Sequence, residues 1–325
     1  MSALTFAALR RLADGKFHSG QDIARSLARS RATLNEALKC VPELGVDLFS
    51  VPGKGYRLAE PIEFLDAQAI ARRLASSGAR IRLQVVDECD STSTRLLEMA
   101  AAGAPSGTCL AAEWQSGGRG RRGRSWVSSL GGSLTFSLLW RFERGAGHLG
   151  GLSLAVGEAV ARAASACGVA RVQVKWPNDV VVDFRKLAGI LVETSGEMQG
   201  PSVAVIGVGM NYRLGERALE RIDQPVIDIA QCAVPVPSRS ELLATLLATL
   251  AASLEAFDAE GFAASREAWR ALHAYQGRPV RITPGRESPF DAEVTDVAPD
   301  GALVVRTADG RNVNLASAEI SLRAR

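Results

Sequence analysis

Between Gly117 and Trp126 the chain reads GGRGRRGRSW, four arginines and four glycines in ten residues. Guanidinium groups present forked donors that match carboxylate and phosphate geometry. Glycine lets the backbone bend and bring its own N–H groups close to the same anion. No acidic residue occurs from Trp114 to Phe142. Arg119, Arg121, Arg122 and Arg124 therefore repel one another until an anion arrives. Such a loop is expected to be disordered when empty and to order over its ligand. A solvated surface loop is the competing reading, because short basic motifs are common.

A second candidate stretch is KWPND followed by RKLAGILVE, Lys175 to Glu193. Asn178 and Asp179 sit at a hairpin tip, either as turn residues or as polar groups beside a ligand. Lys186 opens an apolar strand, where it serves as an edge charge or delivers a point charge to an enclosed anion. Gly189 inside that strand signals close approach of something to the backbone. In GVGMN, Gly207 to Asn211, a strand end carries an Asn toward the same region. Each stretch alone has a structural explanation that serves as well.

Three kinds of element must position these groups. Leu4, Leu9 and Leu12, then Ile23, Ala24 and Leu27, then Leu34, Ala37 and Leu38 mark three short helices. Ser19 opens the second as a capping box, and Ser30 caps the third. VDLFSVPGKGYRL then reads as two strands about a Pro-Gly turn, a winged helix-turn-helix pattern whose third helix is the recognition helix. From Ile81 onward, mixed strands with few βαβ units predict an α+β sheet layered with helices. RPVRIT, AEVTDV, ALVVRT and NVNLA predict a terminal β-barrel of SH3-like size. The expected domains are 1–62, 63–275 and 276–325.

Composition narrows the choices. The 325 residues are 47% hydrophobic and 22% charged with net charge +3, so the surface as a whole is no polycation. Five cysteines include no C-x-x-C pair, and three scattered histidines do not suggest a metal site. MSALTFAALRR lacks the features of a signal peptide, and the uncharged run Leu242–Leu254 is too short to cross a bilayer. A reduced, soluble, cytoplasmic protein is expected, with no membrane partner.

Five stretches occur in one order: DST at 90–92, EWQSGGRGRRGRSW at 113–126, KWPND at 175–179, RKLAGILVE at 185–193 and GVGMN at 207–211. FHSG at 17–20, VPGKGY at 51–56, EPI at 60–62 and EISLR at 319–323 accompany them. Together they resemble the biotin protein ligases, in the bifunctional form that is also the biotin operon repressor. The resemblance spans essentially the whole chain. It implies a central domain of the class II synthetase-like biotin/lipoate ligase fold.

The resemblance also implies a two-step reaction. The biotin carboxylate attacks the α-phosphate of ATP, giving biotinyl-5′-AMP and pyrophosphate. A lysine of a biotin carboxyl carrier protein then attacks the mixed anhydride and releases AMP. By this resemblance Ser91, Thr92, Gln115, Gly118, Arg119, Arg121, Lys186 and Gly189 hold biotin. Arg121, Arg124, Asn178, Asp179, Asn211 and Arg323 face the nucleotide, which arrives with Mg²⁺. Lys186, Arg121 and Asp179 would carry the chemistry, with Lys186 bridging carboxylate and α-phosphate. Ser93 replaces the family's Asn and is expected to cap the next helix, and Val226 stands where some members place a Trp over the adenine.

For DNA the expected contacts are Arg25, Arg29, Arg31, Lys39 and Lys54, with Arg57 in the wing, and the expected target is the biotin operator. Homodimerisation coupled to adenylate and DNA is likewise implied. The recognition helix also carries Glu36, and Pro42 should end it early. A ligase whose helix-turn-helix no longer represses is therefore one alternative. A lipoate or octanoate ligase of the same fold, a regulator that only senses ligand, and a nucleic-acid module using the arginine loop are others.

Overall fold

The computed structural model describes residues 1–197, 199–284, 288–316 and 320–324, with the side chains of 284 and 320–324 outside the described set. At the N-terminus α1 (Ala3–Leu12), α2 (Gly20–Ser26) and α3 (Arg31–Leu38) precede a hairpin of β1 (Leu48–Val51) and β2 (Gly55–Leu58). Ser2 caps α1 by accepting from Thr5 N, and Ser30 caps α3 by accepting from Thr33 N. Ser19 departs from its expected role: it stands at the N-cap of α2 without a side-chain cap bond. As Pro42 requires, α3 is over by Leu38, and a 3₁₀ turn spans Val41–Leu44.

The central domain begins with α4 (Ala67–Ser77), whose cap Asp66 accepts from Gln68 N and Ala69 N. Then come β3 (Arg82–Cys89), α5 (Thr92–Ala101), β4 (Thr108–Gln115), β5 (Ser133–Phe142) and α6 (Leu152–Ala166). β6 (Val172–Lys175), β7 (Asp179–Val182), β8 (Arg185–Gly196) and β9 (Ser202–Asn211) complete a seven-stranded sheet ordered β3-β4-β5-β9-β8-β7-β6. Only β3 and β4 run parallel, joined by α5; every other pair in this sheet is antiparallel. Two short helices, α7 (Glu216–Leu219) and α8 (Ile229–Cys232), follow, then α9 (Arg239–Glu260) and α10 (Ala263–Leu272).

The two faces of the sheet differ. One is covered by α6 and α9, which bury Leu154, Val160, Leu243, Leu247 and Leu250 in the main core. α9 is long and apolar enough to cross a membrane by length and composition. It outruns the uncharged stretch read from sequence, and its leucines are packed against the sheet and α6. The other face carries α5, which closes a smaller cluster of Leu96, Leu110, Leu139 and Val205. Side chains alternate across a strand, so Gly207 and Gly209 of β9 face the α5 side while Ile206 and Val208 join the main core.

β10 (Pro279–Pro284), β11 (Phe290–Val297), β12 (Leu303–Thr307), β13 (Asn312–Leu315) and β14 (Ile320–Ala324) form an antiparallel five-stranded sheet ordered β13-β12-β11-β10-β14. It meets the central domain where Trp176 Nε1 donates to Gly301 O at 3.0 Å. The winged domain is docked as well. Its core of Phe6, Leu9, Leu34 and Leu44 is completed by Trp114 and Leu130 of the central domain. Leu130 N donates to Leu44 O at 2.9 Å, and Arg217 pairs with Asp47 at 2.6 Å.

Candidate functional site

The floor of the site is a pair of glycines. Gly189 of β8 lies directly across from Gly209 of β9. A Cβ on Gly209 would sit 2.4 Å from Trp126 Cε2, and one on Gly189 would sit 3.3 Å from Trp126 Cζ3. The Trp126 indole therefore lies flat on a stretch of bare backbone. Gly207 performs the same service for Ser93, whose Oγ would be 2.5 Å from an added Cβ. This corrects the expected role of Ser93. It is buried inside α5 against Ser137, 3.0 Å Oγ to Oγ, and the helix cap is Ser91, which accepts from Thr94 N.

One end of the cavity is built from α5 and β4. Gln115 Oε1 accepts from Thr92 N at 2.7 Å, and Thr92 Oγ1 lies 2.8 Å from Ser137 Oγ. Gln115, Ser91 and Thr92 are all buried. Gly118 is held by the turn of the loop: a Cβ there would be 2.6 Å from Trp126 O and 3.3 Å from Gln115 Nε2. Only glycine lets the chain pass at that point.

The arginine loop folds back on itself across a short 3₁₀ turn at Arg121–Gly123. Gly120 N donates to Arg124 O at 2.7 Å and Trp126 N to Gly118 O at 2.8 Å, closing a small hairpin. Its charges also have partners that the local sequence hides. Arg119 makes a bidentate pair with Glu193 of β8 at 2.7 and 3.2 Å. Arg121 Nη1 donates to Asn178 Oδ1 at 3.4 Å. Burial, with Arg122 nearby, holds the Arg121 guanidinium below its ordinary pKa, which Asp179 partly offsets. Arg122 adopts φ 58° and Arg124 is exposed, both on the open side of the loop.

Opposite the loop stands the β7–β8 hairpin. Lys186 Nζ lies 2.9 Å from Asp179 Oδ1 and 5.8 Å from the Trp126 ring centroid. Both ionic side chains are largely covered, at 18% and 19% exposure. The Oδ1 atom is buried and lacks an aligned hydrogen bond, so the contact is an ion pair between two groups that still have acceptor and donor capacity to offer. Asn178 Nδ2 donates to Ile190 O at 2.8 Å, which turns its oxygen toward Arg121. These groups, with Gln115, Thr92 and Trp126, line a single cavity of about 390 Å³.

Of the expected residues, Gly118 and Asn211 are not among those that line the cavity, and the side chain of Arg323 is not described. Asn211 is 2% exposed and does not line the cavity. Its Nδ2 donates to Lys186 O and Ile227 O, both at 3.1 Å, so it clamps the backbone of the lysine to the segment after Pro225. Arg323 lies in β14 opposite Arg281, and its side chain is outside the described set. Trp126 and the Gly207–Gly209 pair line the cavity without having been expected as site residues, and Ser137 supports Thr92 and Ser93 from behind. Alternating glycines on a strand were the available signal, since a strand gives up packing at each one.

In the winged domain Arg25, Arg29, Arg31, Lys39 and Lys54 are all exposed. Lys39 pairs with Glu36 at 2.6 Å, and Arg25 with Asp22 at 3.4 Å. Arg57 is placed differently, 5.1 Å from the centroids of both Phe17 and Phe49.

A polar pocket for a small head group, an arginine loop over it and a lysine–carboxylate pair beyond it define a ligase of the biotin/lipoate class. The biotin/lipoate A/B protein ligase family model matches residues 85–211, an HTH domain model residues 5–57, and the biotin protein ligase C-terminal domain model residues 275–323. The bifunctional ligase/repressor BirA of Salmonella typhimurium is 39% identical over 312 residues, 96% of this chain and 95% of its own. A biotin–[acetyl-CoA-carboxylase] ligase of Paracoccus denitrificans is 36% identical over 232 residues, 69% of this chain and 94% of its own. Among solved structures, biotin protein ligase from Aquifex aeolicus in complex with biotin and ATP superposes with a TM-score of 0.64 at 28% identity, covering 75% of this chain and 99% of that one. The chain belongs to the family of bifunctional biotin ligase/repressors.

Proposed function

We propose that the protein activates biotin with ATP, transfers it to a lysine of a biotin carboxyl carrier protein, and represses biotin synthesis by binding operator DNA. The observation that carries the ligase reading is the gathering of Gln115, Arg121, Asn178, Asp179 and Lys186 around one cavity from three separate stretches of chain. Biotin's ureido end would meet Ser91, Thr92 and Gln115, with Gly118, Arg119 and Gly189 along its length. Its carboxylate would then lie at Lys186 and Arg121, which stabilise negative charge as it moves onto the α-phosphate oxygens. In that step a carboxylate oxygen bonds to phosphorus and the bond to pyrophosphate breaks. In the second step an acceptor amine bonds to the carbonyl carbon, loses a proton, and AMP leaves. Arg124 and Asn178 would face the phosphates, and the arginine loop would keep water from the anhydride. Asn211 is then a positioning residue for Lys186.

No cluster of three or more His, Cys, Asp or Glu suited to a metal exists among the described residues. The Asp179 carboxylate and the Asn178 oxygen are oxygen donors that would be the protein's share of a Mg²⁺ carried in with ATP. The ion would neutralise phosphate charge. Incubation with biotin, MgATP and a carrier domain is expected to yield a biotinylated lysine. Absence of that product removes the ligase reading, and octanoylation in its place would favour an octanoate ligase.

The repressor reading rests on the docked winged domain and its five exposed cations. They supply few phosphate contacts, so operator affinity should fall with salt, but with only a modest slope. A gel shift with the biotin operator is expected in the presence of adenylate, and sedimentation should show the dimer forming with it. No shift with adenylate present rejects repression.

A further inference from the structure

Phe184 is placed where no fold requirement puts a phenylalanine. It is the second residue of the two-residue turn between β7 and β8, and Asp183 and Phe184 have φ values of 48° and 61°. Asn-Gly or Asp-Gly serves such a turn without strain, whereas a bulky residue in the left-handed region is costly. The ring gains little burial in return, being 40% exposed. Strain held by an exposed aromatic is a functional signal.

Its surroundings say what it meets. Phe184 sits at the outer rim of the site, two residues before Lys186 on the same hairpin. Tyr275 lies edge-on at 5.4 Å, and the Arg278 guanidinium lies over the ring at 5.1 Å. Lys175 Nζ stands 5.9 Å from the Tyr275 centroid. Asp183, the one acid in the turn, is taken by Arg171 at 2.8 Å. The result is an apolar rim beside the Arg278 guanidinium and the Lys175 ammonium, at the junction of the central and C-terminal domains.

We propose that Phe184 and Arg278 form the docking platform for the acceptor carrier domain, a folded partner that offers an apolar side chain and carboxylates beside its acceptor lysine. The proposal rests on the ligase reading. Adenylate must be enclosed, while the amine must enter from outside, so the exposed rim nearest Lys186 is the part a protein substrate touches. A nucleobase would have to compete with Arg278 for the ring, whereas a protein need only cover its exposed part.

The test separates the half-reactions in the full-length protein. Phe184→Ala and Arg278→Glu are expected to make biotinyl adenylate from biotin and MgATP at the wild-type rate. Transfer to hydroxylamine should also be unchanged. KM for the carrier domain should rise about tenfold, the loss of one modest hot spot, and for wild type it should rise with salt more than for Arg278→Glu. Phe184→Tyr should restore carrier KM. An unchanged carrier KM overturns the platform, and a raised KM for ATP instead assigns the ring to the nucleobase. Wild-type protein that forms no adenylate would be the distinct failure of the ligase reading itself.

Discussion

Lys186 Nζ and Asp179 Oδ1 face each other at 2.9 Å across the β7–β8 hairpin, in register positions set by the bulge between Val180 and Val181. The pair holds the lysine's charge at the cavity wall before any anion is bound. Lys186→Met should lower adenylate formation by about 10²–10³-fold, the scale of losing one preorganised donor to developing charge. Biotin affinity should change far less. Pyrophosphate release and calorimetric biotin titration measure the two separately, and equal losses in both would make Lys186 a ground-state binder only.

Bare backbone under Trp126 yields a graded prediction. Gly209→Ala places a methyl 2.4 Å from the indole, which has to move. Gly189→Ala meets Trp126 only at 3.3 Å and Lys186 Cε at 3.0 Å. Overpacking costs roughly 1–3 kcal/mol. Biotin affinity should therefore drop about tenfold or more for Gly209→Ala and by less for Gly189→Ala. Trp126 fluorescence should shift in the first variant. Equal affinities in the two would break the link between Trp126 and the site.

The three-part architecture was legible because each part has its own period: helical spacing with caps, mixed strands, then short strands with Gly turns. The partners of the arginine loop were not. Glu193 reaches Arg119 from a strand 74 residues away, and local charge counting cannot see it. Ser93 looked like a cap because Ser caps well, but burial against Ser137 and Gly207 decides its place. The strand end places Asn211 near the site, and only the family resemblance turns it toward the nucleotide. Two buried carbonyls that need donors claim its amide first.

A buried network ties the linker at Glu63–Leu65, just ahead of α4, to the strand that carries Gln115. Arg239 and Glu113 pair at 2.7 Å with both side chains 0% exposed. Arg239 also donates to Ser133 O at 2.9 Å, and Glu113 Oε1 accepts from Leu65 N at 2.6 Å. Removing one partner strands a charge in the core. Arg239→Met should destabilise by roughly 3–5 kcal/mol, and Arg239→Met with Glu113→Leu by much less. Urea unfolding measures both. A double variant as unstable as the single would mean that the backbone bonds, not the charge pair, hold the linker.

His273 gives the fold an acid-side weakness. Its ring stacks on Trp269 at 4.5 Å, and burial lowers its pKa from 6.5 to about 4. The unfolded chain takes up this proton below about pH 6.5, while the folded chain resists until about pH 4. The unfolded state thus binds more protons between those values, and stability falls as pH is lowered through that window. Above it the contribution is fully present, and the total loss is on the order of 3 kcal/mol. His273→Phe keeps the ring stack and removes the proton. Urea midpoints at pH 7.5, 6, 5 and 4.5 should decline less steeply for His273→Phe than for wild type. Parallel declines would assign the acid sensitivity to the carboxylates of the ion pairs instead.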